Sequence, residues 1–110
     1  MICDFGDVAV VPFPFVDLAA DKRRPALILS RRRFNETHRH SICAMITTAV
    51  RTKWPSDVAI EGFKSAGLDR PCVVRWKLFT LPNDLILKRA GTLATRDRDN
   101  IVPAVRAIMP

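Results

Sequence analysis

Two stretches of this chain, residues 26–30 and 41–48, are apolar on both of their alternating faces. In the second, Ile42, Ala44, Ile46 and Thr48 fall on one side of an extended backbone, and Cys43, Met45 and Thr47 on the other. A strand that is apolar on both sides must be covered on both sides. In a chain of 110 residues, a sheet closing into a barrel supplies one cover. A helix or a second subunit must supply the other.

The rest of the pattern agrees with a small β domain spanning residues 1–110. Gly6-Asp7 reads as a turn entering a strand at 8–13, which Pro12 and Pro14 end or confine to a sheet edge. Phe13 and Phe15 flank Pro14 and anchor a loop over 16–24 that carries Asp17, Asp21, Lys22, Arg23 and Arg24. A loop of that length is more often functional than a short one. Pro25 suits the first position of the following strand and biases Arg24 toward extended backbone. Ser30 is placed to cap a short helical turn at 31–37, with Phe34 packed inward.

Beyond the second apolar stretch, a polar connection at 49–56 holds Arg51, Lys53, Trp54 and Pro55. A short strand is expected at 57–61, then turns over 62–71 with one helical turn ending at Gly67. The strand at 72–79 separates Cys72, Val74, Trp76 and Leu78 from Val73, Arg75, Lys77 and Phe79. Pro82-Asn83-Asp84 is a turn, and 85–93 a last strand. Thr95 is an expected N-cap, with Asp97 and Asp99 in the first turn of a terminal helix. Ile101, Val102, Val105, Ile108 and Met109 share a face of it. Pro103 predicts a kink, or a helix that begins near it. The sum is a mainly β fold, a barrel of SH3-like size with short helices and a C-terminal helix.

Lys plus Arg number 18 against 11 Asp plus Glu, a net charge of +7. That balance favours polyanionic partners. Cys3, Cys43 and Cys72 are odd in number and show no paired spacing; Cys43 and Cys72 sit in apolar runs and are expected as buried free thiols, which fits a reducing cytoplasm. The first residues have no basic leader, and no apolar run approaches membrane-spanning length.

Candidate contacts follow from charge and position. Arg24 is a guanidinium at the rim of a buried sheet, suited to a phosphate, and Lys22 and Arg23 extend it. Arg51, Lys53 and Trp54 combine phosphate neutralisation with a stacking platform. Arg75 and Lys77 form a basic stripe on one strand face. Trp76, on the other face, reads as core. Arg31-Arg32-Arg33 reads as a solvated face. His38 and His40 lie in a polar segment and lack further ligands at zinc spacing.

The ordered series Gly6-Asp7-Val8, Val11-Pro12-Phe13-Pro14-Phe15, Arg24-Pro25-Ala26-Leu27-Ile28-Leu29-Ser30, Ala44-Met45-Ile46-Thr47-Thr48, Gly67-Leu68, Val73-Val74-Arg75, Leu78-Phe79-Thr80-Leu81 and Ala90-Gly91-Thr92-Leu93 resembles the MazF/PemK toxin endoribonucleases, the PemK-like branch in particular. The resemblance spans nearly the whole chain. It implies a dimeric SH3-like barrel of the CcdB/MazF type. It implies cleavage of single-stranded RNA, within a short sequence, without a metal or other cofactor. It also implies a cognate antitoxin whose acidic, flexible tail covers the RNA-binding surface. By position it makes Arg24 and Thr47 catalytic. Thr48 beside them, with Lys22, Arg23, Arg51, Lys53, Trp54, Arg75 and Lys77, forms the expected RNA contacts.

That chemistry suits these residue types. A 2′-hydroxyl can attack its own adjacent phosphorus, so the protein must position groups and stabilise charge rather than supply a nucleophile. The chain departs from some relatives, which carry an acid where Lys77 stands or a histidine in the first loop. No general base is therefore assigned, and Arg24, permanently protonated, is a poor one. Two other readings stay open: a non-catalytic nucleic-acid-binding barrel, and a topoisomerase-poisoning toxin on the same barrel.

Overall fold

The computed structural model describes residues 1–12, 23–48 and 52–110. Within them run β1 (Asp7–Pro12), β2 (Arg23–Ile28), α1 (Arg32–His38), β3 (His40–Thr47), β4 (Val58–Ile60), β5 (Cys72–Pro82), β6 (Lys88–Thr92) and α2 (Thr95–Ile108), with a 3₁₀ turn at Asn83–Leu85. The strands form one antiparallel sheet in the order β4-β5-β3-β2-β1-β6. The expected mainly β fold with a C-terminal helix is present.

The sheet curls because its two edges are bridged by the turn that follows β4. Thr92 of β6 donates its N–H to the Ser65 carbonyl at 3.1 Å, and Ser65 Oγ returns a bond to the Thr92 carbonyl at 2.9 Å. The single helical turn expected before Gly67 is there, closed by bonds from Gly67 N–H to Lys64 O and from Leu68 N–H to Phe63 O. Gly67 takes φ +76°, and a Cβ on it would meet the Ala90 carbonyl oxygen at 2.1 Å. Only glycine allows the turn to seat on β6 this closely.

Alternation divides the apolar residues between two cores. Val8, Leu27, Ala44, Ile46, Val74 and Trp76 lie inside the curl, where Ile101 of α2 joins them and Ala104 and Val105 pack against the cluster. Ala9, Val11, Ala26, Ile28 and Cys43 face the other way, covered by Cys3, Leu81 and Ile86. The doubly apolar strands are thus covered by the chain's own curl and α2 on one side, and by its N-terminal and post-β5 segments on the other. All three cysteines are free and buried.

A buried polar network ties down the second cover. Asn35 Nδ2 donates to the Cys3 carbonyl at 2.9 Å, Asn83 Nδ2 to the Asn35 carbonyl at 2.8 Å, and Ser41 Oγ to Asn83 Oδ1 at 2.7 Å. Such groups are tolerated inside because each finds a partner.

Several local expectations change. β2 starts at Arg23, so Pro25 is its third residue, paired with Val10, and Arg24 belongs to the strand rather than to a loop. Ser30 does not cap α1, which has no side-chain cap. Its hydroxyl binds Asn35 Oδ1 and accepts the Ile42 N–H instead. Phe34 is exposed, and the buried residue of α1 is Asn35. Thr95 is the first residue of α2 rather than its cap, and the helix runs from there through Pro103 to Ile108. Of its expected apolar face, Ile101 is buried and Val105 packs inward, while Val102, Ile108 and Met109 are exposed. The last strand is shorter than expected, because Asn83–Leu85 wind into the 3₁₀ turn before it.

Candidate nucleic-acid interface

Arg24 is the second residue of β2 and Thr47 the last of β3. These antiparallel neighbours pair Ala26 with Met45, and that register runs on toward Arg24 and Thr47. Both residues line one cavity of about 540 Å³, together with Arg23, Thr48, Asp69 and Arg70. Pro25 holds the backbone extended without needing a donor there. Arg23, Arg24 and Thr48 are exposed, and Thr47 is half-buried. A cluster of guanidiniums and hydroxyls at a sheet rim can grip a phosphate while leaving it open to a long polymer.

A second group lies one strand away, since Met45 of that cavity pairs with Arg75 on β5. Arg75 is buried, 5% exposed, and is held on several sides. It donates from Nε to Asp57 Oδ1 at 3.1 Å, from Nη2 to Asp57 Oδ2 at 2.9 Å and from Nη1 to Thr52 Oγ1 at 3.0 Å. This bond to Arg75 holds the Asp57 carboxyl below its usual range, and the Trp54 N–H reinforces it against the upward pull of burial. Asp57 in turn pushes the Arg75 guanidinium up. The Arg75 guanidinium sits 5.6 Å and Lys77 Nζ 5.7 Å from the Trp54 ring centre. Trp54 therefore stands on two cations, and Arg75 works as its pedestal. Lys53 beside it is exposed.

Of the residues expected at the interface, Arg23, Arg24, Thr47 and Thr48 come together in the cavity, and Trp54, Arg75 and Lys77 form the neighbouring group. Lys22 and Arg51 lie outside the described residues, as do Asp17 and Asp21. Trp76 is core, its Nε1 donating to the Ser56 carbonyl at 2.8 Å. His38 ends α1 and His40 opens β3, at the end of that strand opposite Thr47, and His40 Nδ1 lies 2.7 Å from the His38 carbonyl.

Sequence reasoning missed Asp69 and Arg70. The signal was weak: an Asp-Arg-Pro run two residues after a turn-closing glycine. Leu68, also in the cavity wall, is carried there by the same turn. Asp57 was missed as well, although an acid at the start of one strand is a natural partner for a basic residue inside the next. Among the described residues no group of three or more histidine, cysteine or acidic side chains could hold a metal ion, and no helix is long and apolar enough to cross a membrane.

A family model described as PemK-like, MazF-like toxin of type II toxin-antitoxin system matches residues 4–109. No curated protein sequence matches the chain. Solved structures with a similar fold include the Mycobacterium tuberculosis toxin MazF-mt6. It is 25% identical with a TM-score of 0.70, covering 92% of this chain and 93% of that one. MazF from Deinococcus radiodurans is 18% identical with a TM-score of 0.75, covering 98% and 96%. An endoribonuclease in complex with its cognate antitoxin, from a mycobacterial species, is 20% identical with a TM-score of 0.73, covering 96% and 91%.

Proposed function

The chain belongs to the PemK-like, MazF-like toxins of type II toxin–antitoxin systems, and we propose that it cleaves single-stranded RNA at the cavity shared by Arg24 and Thr47. The observation that carries this reading is their common cavity at the ends of β2 and β3. A phosphodiester seated there meets a fork of fixed donors from Arg24 and a hydroxyl from Thr47. Both strengthen as charge builds on the non-bridging oxygens of the transition state.

In this reaction the 2′-oxygen forms a bond to the adjacent phosphorus and the bond to the 5′-oxygen breaks. The products are a 2′,3′-cyclic phosphate and a 5′-hydroxyl. The 2′-hydroxyl proton goes to a base, and we assign that role to Asp69, the carboxylate in the cavity wall. The leaving 5′-oxygen takes its proton from solvent. No step requires a metal. Trp54, set on Arg75 and Lys77, offers a face for a neighbouring base, which gives the cut its sequence preference. The antitoxin tail is acidic and competes for the same cations. The active form is a cytoplasmic homodimer.

Purified protein should cut single-stranded RNA in EDTA. Arg24→Ala and Thr47→Ala should each lose about 10²–10³ in rate, the usual cost of removing one preorganised donor. Asp69→Asn should lose rate. Metal-free cleavage undiminished in Arg24→Ala would refute the site. Salt-sensitive RNA binding with no product would instead identify a binding protein.

A further inference from the structure

A second basic pocket, unrelated to the RNA-cleavage cavity, lies at the far end of the same strands. Arg31, Arg32 and Arg33 at the start of α1 face Arg98 and Arg106 of α2 across a cavity of about 570 Å³. Leu29, which lines it, is five residues from Arg24, roughly 16 Å along an extended chain. Phe5, Leu29, Val102 and Val105 supply apolar walls.

The charge here is not balanced from within. Arg32 is paired with Glu36 at 2.9 Å. The one carboxylate of the pocket, Asp4, already accepts the backbone N–H groups of Phe5 and Arg32 through Oδ1. Arg98 Nε is buried and has no hydrogen-bond partner among the described residues. Its guanidinium is pressed against Gly6, where a Cβ would lie 2.7 Å from that nitrogen. A buried donor left unmet is costly unless a ligand meets it. Arg98, Val102 and Arg106 follow one another at four-residue spacing, so the cations and the apolar strip lie on one face of α2.

We propose that this pocket binds a mononucleotide, its phosphate held by the arginines and its base received by the apolar walls. Several guanidiniums converging on one region match a multiply charged anion with tetrahedral oxygens better than a single carboxylate. The volume is that of an ordinary small-molecule site and exceeds the needs of inorganic phosphate. The nucleotide is either free or the 5′-terminal residue of an RNA strand. The inference rests on the charge and shape of this pocket, not on the cleavage reading.

The test is calorimetric titration with adenosine monophosphate. It uses Arg24→Ala protein, so that the first cavity contributes little. Binding should weaken tenfold or more on adding Arg98→Gln. It should weaken likewise on adding Arg31→Gln with Arg33→Gln, a pair of exposed changes that leaves the fold intact by circular dichroism. A short RNA that displaces the nucleotide only when 5′-phosphorylated identifies a strand end as the ligand, and failure of both RNAs to displace it identifies a free nucleotide. Three results would overturn the proposal: no binding at millimolar nucleotide, binding indifferent to both sets of changes, or inorganic phosphate or an acidic peptide binding as tightly as the nucleotide.

Discussion

Arg75 and Asp57 meet through two parallel hydrogen bonds, at 3.1 and 2.9 Å, with both side chains nearly removed from solvent. The pair joins the middle of β5 to the residue before β4. It fixes the 52–57 segment, and with it Trp54.

Breaking this pair from the acidic side leaves a buried guanidinium short of its counter-charge. Asp57→Asn should lower the Tm at neutral pH and change the Trp54 fluorescence. The Asp57 carboxyl is depressed in the folded protein, chiefly by its bond to Arg75. Its contribution is therefore complete above the unfolded carboxylate value of about 3.9, and is lost as pH falls through the lower folded value. The Tm gap between native protein and Asp57→Asn should close in that acid window. A gap that stays constant down to pH 2 would contradict the assignment.

Gly67 should resist replacement. Gly67→Ala forces a side chain into left-handed backbone, at about 1–2 kcal/mol, before the clash with the Ala90 carbonyl is counted. Because the same turn presents Asp69 and Arg70 to the Arg24 cavity, thermal denaturation and RNA cleavage should both report the change. Native-like stability in Gly67→Ala would show that the turn and β6 can separate freely.

Asp97 is 1% exposed and accepts the backbone N–H groups of Glu61 at 3.0 Å and Gly62 at 2.9 Å. Asp97→Ala orphans both donors, each worth roughly 1–3 kcal/mol when left unmet. Urea unfolding should show the loss with an unchanged m-value. Asp99→Ala, at an exposed position two residues on, should cost little by the same measurement.

Burial pushes the Cys43 thiol up to about 12, and burial likewise raises Cys3 and Cys72. Thiolate is the reactive form. A thiol reagent at pH 8 should label the native protein slowly, with all three cysteines becoming reactive together in denaturant. Rapid stoichiometric labelling of Cys43 in native protein would count against the packing around β3.

What could be read from the sequence is what depends on local alternation. The two faces of β3, the buried Trp76, the glycine turn before Leu68 and the terminal helix all follow from residues a few positions apart. Arg24 and Thr47 were legible as a pair only through a resemblance, because it takes sheet register to bring strand ends 23 positions apart into one cavity. Where a distant partner intervenes, the local reading failed. Ser30 has the chemistry of a cap but was claimed by Asn35 and Ile42. Thr95 lost the cap position because α2 begins one residue earlier than a Thr95 cap would allow. Arg75 looked like one of two equivalent surface cations, yet Asp57, 18 positions away, draws it inward. Nothing within a few residues of Arg75 announces that.

One irregularity of β5 bears on how this chain can vary. Adjacent Ala44 and Met45 pair with Leu78 and Arg75, so β5 carries two surplus residues, Trp76 and Lys77. Two is an even number, and in a pleated strand it returns every later side chain to its original face. Losing or gaining a single residue there would exchange the faces of everything from Leu78 to Pro82, turning Leu81 out of its core and breaking the line to Asn83. Changes of length in this stretch are therefore tolerable only in pairs.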